Sequence, residues 1–369
     1  MTSAAVLEAA RQFACEGRLT GVRRLPGGHI HESYHVRAEG GAVPGYVLQR
    51  LNTRVFREPL RLMENVARVT RHVQAGLRAA GVADVRRRVL HVVPTRDGRL
   101  AWPQEVPTGA DVGEAGEAVW WRMFEFIDGA TTRLVVRGTR QAEQVACAFG
   151  EFQAQLSDLP PPPLHETIAD FHDTRARLEQ LRRAAEADLL GRARQCRAEL
   201  AQVERRAELA GALGGAGCAP ALPRRAVHND AKISNVLFDA ADGSALCIVD
   251  LDTVMPGLAL HDFGDMVRSM ATPAGEDETE LERVAVRPDY LEALRRGYLA
   301  AASAFLSDAE RALLPLAGPV IAFEQAVRFL ADHLVGDAYY RTTCQFQNLS
   351  RARNQLALLE SLLQVPWPT

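Results

Sequence analysis

The chain has 369 residues, 47% of them hydrophobic and 24% charged, with a formal net charge of −3. Its length is more than one compact core usually spans, which predicts two lobes or domains. The near balance of charge offers no broad basic field for a nucleic acid or an anionic membrane, so a small-molecule partner is favoured.

Residues 1–20 read as an amphipathic helix with Val6, Ala9, Ala10 and Phe13 on one face. Glu8 and Glu16 interrupt the stretch, and no long apolar region follows a basic start, unlike a secretory signal. Two β-rich stretches follow around a turn at Gly27-Gly28, with a second turn near Gly40-Gly41. A helix is predicted from Pro59 to Ala80, because Leu62, Val66, Val69 and Val73 recur at helical spacing. The run Arg86-Arg87-Arg88 reads as a solvated face or loop. Strand-like segments return at 89–93 and 117–124, so the chain up to about residue 125 reads as a small twisted sheet with one or two helices.

Beyond Gly129 the pattern turns helical. Val145, Phe149, Phe152 and Leu156 share a helix face, and the prolines at 160–163 end that helix. A long charged helix is predicted over 174–209, with Leu178, Leu181, Ala185 and Leu189 as its buried stripe. The Gly/Ala/Pro-rich piece 211–223 is a loop. Two short apolar strands, 235–238 and 246–251, are joined by a turn at Asp242-Gly243, and the last third is helical. No run of about 18 apolar residues occurs, so no membrane span is expected. Cys15, Cys147, Cys196, Cys218, Cys247 and Cys344 are scattered, with no close pair at metal or redox spacing, which predicts a reduced, cytoplasmic chain.

The informative stretch is HNDAKISNVLFDAADGSALCIVDLD, residues 228–252. Phosphoryl transfer to an alcohol needs a carboxylate that orients the hydroxyl and accepts its proton. It needs oxygen ligands that hold magnesium against the phosphates, and a cation near the transferred group. The segment offers these in order. Asp230 lies in a loop before a strand, Lys232 two residues on, and Asn235 five residues on. Asp250 closes the next strand, 20 residues after Asp230, and a tight hairpin brings it to the same end as Asn235. An Asp followed five residues later by Asn is the catalytic-loop pattern of kinases. Taken singly, Asp230 and Asn235 can equally cap turns. Asp262-Phe263-Gly264 spells the magnesium triplet of protein kinases, yet it follows Pro256-Gly257, away from the hairpin. Asp250 is therefore the expected magnesium ligand, and Asp262 the expected helix cap that ties down the catalytic loop.

These residues resemble the aminoglycoside phosphotransferase and choline kinase superfamily, and within it most nearly the bacterial N-acetylhexosamine 1-kinases. The resemblance runs over nearly the whole chain. It includes GGHIHESYHV, YVLQRLNTRVF with LMENV, FHDTRARLE, HNDAKISNVLFD, VDLDTVMPGLALHDFGD and RFLADHLVGDAYY. It implies an α+β fold with two protein-kinase-like lobes. Residues 1–124 would form a small β-rich N-lobe, 125–130 a hinge and 131–369 a larger, mainly helical C-lobe. It implies ATP and Mg2+ as cofactors, and a hinge at Phe124–Gly129 where backbone groups of Glu125 and Ile127 hold adenine. The side chains there can equally be core. Gly27 and Gly28 would cover the phosphates, although a plain hairpin turn reads the same way.

Two departures stand out. The N-lobe phosphate-binding Lys is absent, and Arg50 in VLQRLN is the nearest cation, with Glu64 as its possible partner; a surface ion pair is the other reading. The glycine-loop position that is usually Asn in the superfamily is His31, and His29-x-His31 lacks nearby carboxylates or cysteines that would make a zinc site. For the acceptor, the resemblance points to Arg328 and Tyr339, with Asp332 and His29 beside them. Arg328, Asp332 and Val335 fall at i, i+4 and i+7, so one helix face can carry them, and a structural Arg–Asp pair has the same spacing.

The leading expectation is an anomeric kinase that makes an N-acetylhexosamine 1-phosphate. Phosphorylation of another small alcohol, an aminoglycoside, a choline-like amine or a different sugar, is the alternative. A cationic acceptor would want an acidic pocket, and the run Glu276, Asp277, Glu278, Glu280 and Glu282 reads as a solvated loop. A protein kinase is disfavoured, because Asn229 stands where the usual catalytic triplet has Arg and no Ala-Pro-Glu follows. A nucleotide-binding pseudokinase predicts loss of Asp230, Asn235 or Asp250, and all three are present.

Overall fold

A computed structural model of the protein describes residues 2–26, 30–105, 118–214 and 222–368. Helix α1 (Ser3–Ala10) is much shorter than the predicted 1–20. Past Arg11 the chain leaves the helix: Phe13 bridges Thr95 and the Ala14 N–H donates to the Pro94 carbonyl, and Gly17, with φ +77°, turns it toward the sheet. The chain then enters β1 (Arg18–Arg24), β2 (Glu32–Glu39) and β3 (Gly45–Arg50). Alternation in β2 buries Tyr34, Val36 and Ala38, as a half-buried strand requires. Helix α2 (Pro59–Ala79) starts with Pro in its first turn, where the missing N–H has no intrahelical partner to lose. A single turn, α3 (Val85–Arg88), leads to β4 (Val92–Val93), β5 (Trp102–Gln104) and β6 (Val119–Glu125). These strands make one six-stranded antiparallel sheet in the order β1-β2-β3-β6-β4, with β5 also on β6.

The two faces of this sheet have different partners. On one face Val6, Ala9, Ala10 and Phe13 of α1 pack with Tyr34, Val36, Tyr46, Leu48, Trp121 and Met123. On the other, Met63, Val66, Val69 and Val73 of α2 pack with Phe124, and that core continues into Leu246, Cys247 and Val254 of the second lobe. Arg86 and Arg88 are exposed, as expected of a solvated face, yet two of the three arginines of α3 also make ion pairs. Arg86 grips the Glu125 carboxylate with Nε at 2.7 Å and Nη2 at 2.8 Å, and Arg87 donates to Asp239 and to the carbonyls of Asp128 and Gly129.

The second lobe begins with β7 (Ala130–Thr131) and α4 (Thr139–Gln155). The predicted long helix over 174–209 is broken. Helix α5 (Thr174–Ala187) stops at Asp188, whose φ is +35°, and α6 (Arg197–Arg205) follows after a turn. Leu178 and Leu181 are buried as expected, but Leu189 is 84% exposed, because the break takes it off the stripe. Then come β8 (Arg225–Val227), β9 (Val236–Asp239), β10 (Ala245–Ile248) and β11 (Met255–Gly257). Strands β7, β9 and β10 form one small sheet, and β8 and β11 form another. Helices α7 (Ala259–Met270), α8 (Pro288–Ala302), α9 (Asp308–Val335) and α10 (Gln347–Gln364) complete the lobe. Helix α9 is long and apolar enough to cross a membrane, yet it lies in the main core, with Phe323, Val327 and Leu330 fully buried. The five cysteines among the described residues are free.

Candidate active site

The turn after β8 carries the candidate catalytic segment, and its shape is imposed by a buried carboxylate. Asp262, in the first turn of α7, accepts the N–H groups of His228 at 2.9 Å and Asn229 at 2.6 Å, while Gln153 Nε2 donates to it at 2.7 Å. Those bonds hold Asn229 in the left-handed region, with φ +63°. The Asp-Phe-Gly triplet is thereby accounted for structurally. Phe263 is core, and Gly264 lets α7 approach α9, since a Cβ there would lie 2.4 Å from the Ala317 carbonyl oxygen.

Asp230 projects from this turn. Its Oδ2 receives Lys232 Nζ at 2.8 Å and Asn235 Nδ2 at 2.8 Å. Among the described residues Oδ1 receives nothing. Burial works to raise the Asp230 pKa, but the Lys232 charge and hydrogen bond outweigh it and hold the carboxyl at about 2. The same pairing raises the Lys232 pKa against its own desolvation.

The hairpin β9–β10 sets the next residues. Val249 N–H donates to Asn235 O at 2.9 Å, which fixes Asp250 next to Asn235. Asp250 itself takes φ +61°, a conformation Asp tolerates, and turns out of the strand into the cleft between the lobes. Its carboxylate is reachable by solvent and has no hydrogen-bond partner among the described residues. Surrounding protein, then the Asp252 and Asp230 charges, raise its pKa. The donor set fits a hard divalent cation: a carboxylate crowded by negative charge, beside an Asn amide whose nitrogen is engaged and whose oxygen has no partner among the described residues.

Two residues further on, Asp252 is sealed between the lobes. Its carboxylate is bound by both terminal nitrogens of Arg122, from β6, and by His31 Nε2 at 2.5 Å. His31 Nδ1 accepts the Asn52 N–H at 3.0 Å, so Nε2 carries the proton. Arg122 Nε donates to Gln49 at 2.9 Å. Desolvation opposes the Asp252 charge, but Arg122 and His31 push its pKa well below the usual carboxylate range.

This arrangement corrects the expectation for the N-lobe cation. In β3, Tyr46 and Leu48 face α1, while Val47 packs toward the second lobe. Alternation therefore turns Gln49 inward and Arg50 to the far face. Arg50 is 3.7 Å from Glu32, and Glu64 pairs with His165 at 2.8 Å, so Arg50 and Glu64 do not meet. On the inward face of the sheet stands Arg122, buried and bound to Asp252. Glu125 uses its carboxylate on Arg86, and the Ile127 side chain is buried, while the Ile127 N–H has no partner among the described residues. Gly27, Gly28 and His29 lie outside the described residues.

On the second lobe, Arg328 lies over the rings of Phe171 (4.8 Å), Tyr340 (5.7 Å) and Tyr339 (5.9 Å). Asp332 does not join it. Its Oδ1 accepts the N–H groups of Ala338 and Tyr339, and its Oδ2 those of Tyr340 and the Asn348 side chain, all within 3.0 Å. Asp332 thus shapes the loop that presents both tyrosines and has no oxygen left for an acceptor. Val335 is 53% exposed, off the face expected for it.

A family model described as "Phosphotransferase enzyme family" matches residues 21–316. The chain belongs to that family. Its fold is also that of solved phosphotransferases. A spectinomycin phosphotransferase in complex with ADP and spectinomycin matches at 12% identity over 99% of both chains, with a TM-score of 0.58. A choline/ethanolamine kinase family protein from Mesorhizobium loti matches at 18% identity over 98% of this chain and 95% of that one, with a TM-score of 0.54. A microcompartment-associated aminopropanol kinase matches at 17% identity over 98% and 97%, with a TM-score of 0.53. The two-lobed α+β kinase-like architecture expected from the sequence is what this family member has.

Sequence reasoning missed Arg122, Asp252 and the link between them. A signal was available: Arg122 is the one charged residue inside the apolar run Val119–Phe124. It also missed His172, whose Nδ1 lies 2.7 Å from Glu324 and whose Nε2 lies 3.0 Å from the Asn229 carbonyl oxygen. Both contacts require a donor nitrogen, so the ring is the imidazolium. Burial opposes that charge, and Glu324 raises the His172 pKa in spite of it.

Proposed function

We propose that the protein is an ATP- and Mg2+-dependent kinase that phosphorylates the anomeric hydroxyl of an N-acetylhexosamine. The observation that carries the kinase reading is the division of labour at Asp230. One oxygen is tied to Lys232 and Asn235, and the other is open beside the unpaired Asp250. In this reading Asn235 and Asp250 hold magnesium, which supplies positive charge against the phosphates. The free Ile127 N–H and the Glu125 backbone receive adenine at the hinge, with Gly27 and Gly28 over the phosphates.

Asp230 then acts chiefly by position. A carboxylate held at about 2 is a weak base, so it would orient the acceptor oxygen and take its proton as the new P–O bond forms and the bond from the γ-phosphorus to the β,γ-bridging oxygen breaks, with ADP leaving. Lys232 keeps Asp230 ionised and adds a cation beside the transferred group. The sugar reading rests on VDLDTVMPGLALHDFGD and RFLADHLVGDAYY, and on Arg328 and Tyr339 as donors and ring surface for a pyranose.

The test is turnover of N-acetylglucosamine and N-acetylgalactosamine with phosphorus NMR of the product, alongside the 1-O-methyl glycosides. A sugar 1-phosphate is expected, and blocking the anomeric oxygen stops the reaction. Equal turnover of a methyl glycoside rejects the anomeric assignment and leaves a kinase of some other small alcohol.

A further inference from the structure

The acceptor side of the cleft carries a second arginine that no part of the proposed chemistry requires. Helices α5 and α9 run parallel. Thr174 Oγ1 donates to Glu324 at 2.5 Å near one end, and Arg192, just past α5, donates to the His333 carbonyl at 2.7 Å near the other. Arg177 is one turn beyond Thr174, and Arg328 is one turn beyond Glu324. The two guanidinium groups therefore stand on neighbouring turns, both half-buried.

Neither is neutralised. Arg328 has Gln325 Oε1 at 3.3 Å and the three aromatic rings around it. Arg177 has Gln180 Oε1 at 3.4 Å, and its buried Nε has no partner among the described residues. Burial, then the Arg328 charge, lowers the Arg177 pKa, which is the mark of two like charges sharing one region. Apart from Asp250, assigned above to the metal, and one oxygen of Asp230, the carboxylates named at this site are engaged. Glu324 is held by His172 and Thr174, Glu276 by Arg268, and Asp332 by its loop, while Asp230 keeps only Oδ1 open.

A site for an ammonium group needs the opposite: an unpaired carboxylate, or an aromatic cage with its centre empty. Here the rings of Phe171, Tyr339 and Tyr340 already face a guanidinium. Rejection by a built-in like charge is a recognised route to specificity, because the wrong ligand must bring its charge into partial burial beside another of the same sign.

We propose that Arg177, together with Arg328, sorts acceptors by charge, admitting neutral and anionic sugars and turning away those that carry an ammonium group. The proposal rests on the acceptor lying between Asp230 and Arg328. Within that reading it identifies Arg177 as a specificity residue and separates an N-acylated amino sugar from its free amine.

The experiment compares kcat/KM for glucose and glucosamine at about pH 6.5, where the amine is protonated. Both sugars lack the acetamide, so the ratio isolates the charge. Wild-type enzyme is expected to favour glucose by about tenfold or more. Arg177→Met should pull the two together, and Arg177→Lys, which keeps the charge, should restore the preference. A simple loss of packing would lower both rates in all variants without moving the ratio, and melting temperatures establish that each variant is folded. Glucosamine used as well as glucose by the wild type overturns the proposal, as does a ratio that a folded Arg177→Met leaves unchanged.

If neither of these sugars nor the N-acetylhexosamines are phosphorylated, the sugar reading falls by itself. The filter is then decided by ATP consumption with choline and its neutral isostere 3,3-dimethylbutan-1-ol. Preference for choline overturns the filter, and preference for the neutral alcohol retains it.

Discussion

Asp250 and Asp252 sit two residues apart just past β10, yet the protein treats the two carboxylates in opposite ways. Asp252 is 4% exposed and fully matched: Arg122 takes it from the first lobe and His31 from the segment before β2. Asp250 is open to solvent, unpaired among the described residues, and pressed by its negative neighbours. A buried charge with both oxygens bound fixes geometry, here the angle at which the sheet meets the hairpin β9–β10. A reachable charge with neither bound is held ready for a ligand. The left-handed turn at Asp250 creates this division by sending adjacent side chains in different directions.

The strongest test of the sealed half is to remove one partner. Arg122→Met should lower unfolding free energy by about 3–5 kcal/mol in urea titrations, because Asp252 is left as an uncompensated buried charge. The double change Arg122→Met/Asp252→Leu should recover a large part of that loss. Full additivity of the two single losses would show that the pair is not coupled.

The pH dependence has a defined sign. The Asp252 pKa is depressed on folding, so its stabilisation is present above the unfolded value of about 3.9 and disappears as pH falls through the folded one. Asp230 behaves likewise, losing its contribution between about pH 4 and about 2. Asp250 is the reverse. Its raised pKa opposes folding once pH climbs through it, so Asp250→Asn, which keeps an αL-tolerant side chain, should raise the melting temperature at neutral pH without metal. The same variant should reduce turnover by at least about a hundredfold, roughly 2.7 kcal/mol, with weakened Mg2+-dependent nucleotide binding in calorimetry. Undiminished metal-dependent binding would remove Asp250 from the ligand set.

A smaller effect is expected at Asp262. Asp262→Ala leaves the buried His228 and Asn229 N–H groups without an acceptor, at a cost of about 1–3 kcal/mol in stability. Turnover should fall because the Asp230 turn loosens, while nucleotide affinity changes little. The smallest effect belongs to Arg50. Its 3.7 Å contact with Glu32 lies on the far face of the sheet, so Arg50→Ala should cost less than about 1 kcal/mol and leave the KM for ATP unchanged. A tenfold rise in that KM would put Arg50 back in the cleft.

These comparisons also show where the sequence was legible. The segment 228–250 could be read because its geometry is largely local: a tight hairpin and fixed offsets bring Lys232, Asn235 and Asp250 to Asp230, whose turn Asp262 then holds. Helix α2 and the strands around it were equally open to reading, since their periodicities reflect one face against one core. Helix α5 was overextended because charge and Leu spacing continue past Asp188 without announcing the left-handed break.

By itself, then, the sequence determined the lobes' composition, the hairpin at 236–248 and the family resemblance, all of which depend on neighbours in the chain. The tertiary structure alone decided that Arg122 and not Arg50 stands on the inward face of the sheet, because that face is defined by what packs on each side of it. It alone joined Arg122 to Asp252 across 130 positions and His31 to Asp252 across 221. It also turned Asp332 from a sugar ligand into a loop anchor and set Arg177 beside Arg328 on a parallel helix. No periodicity encodes such pairings, since their strength comes from burial, and burial is a property of the assembled fold.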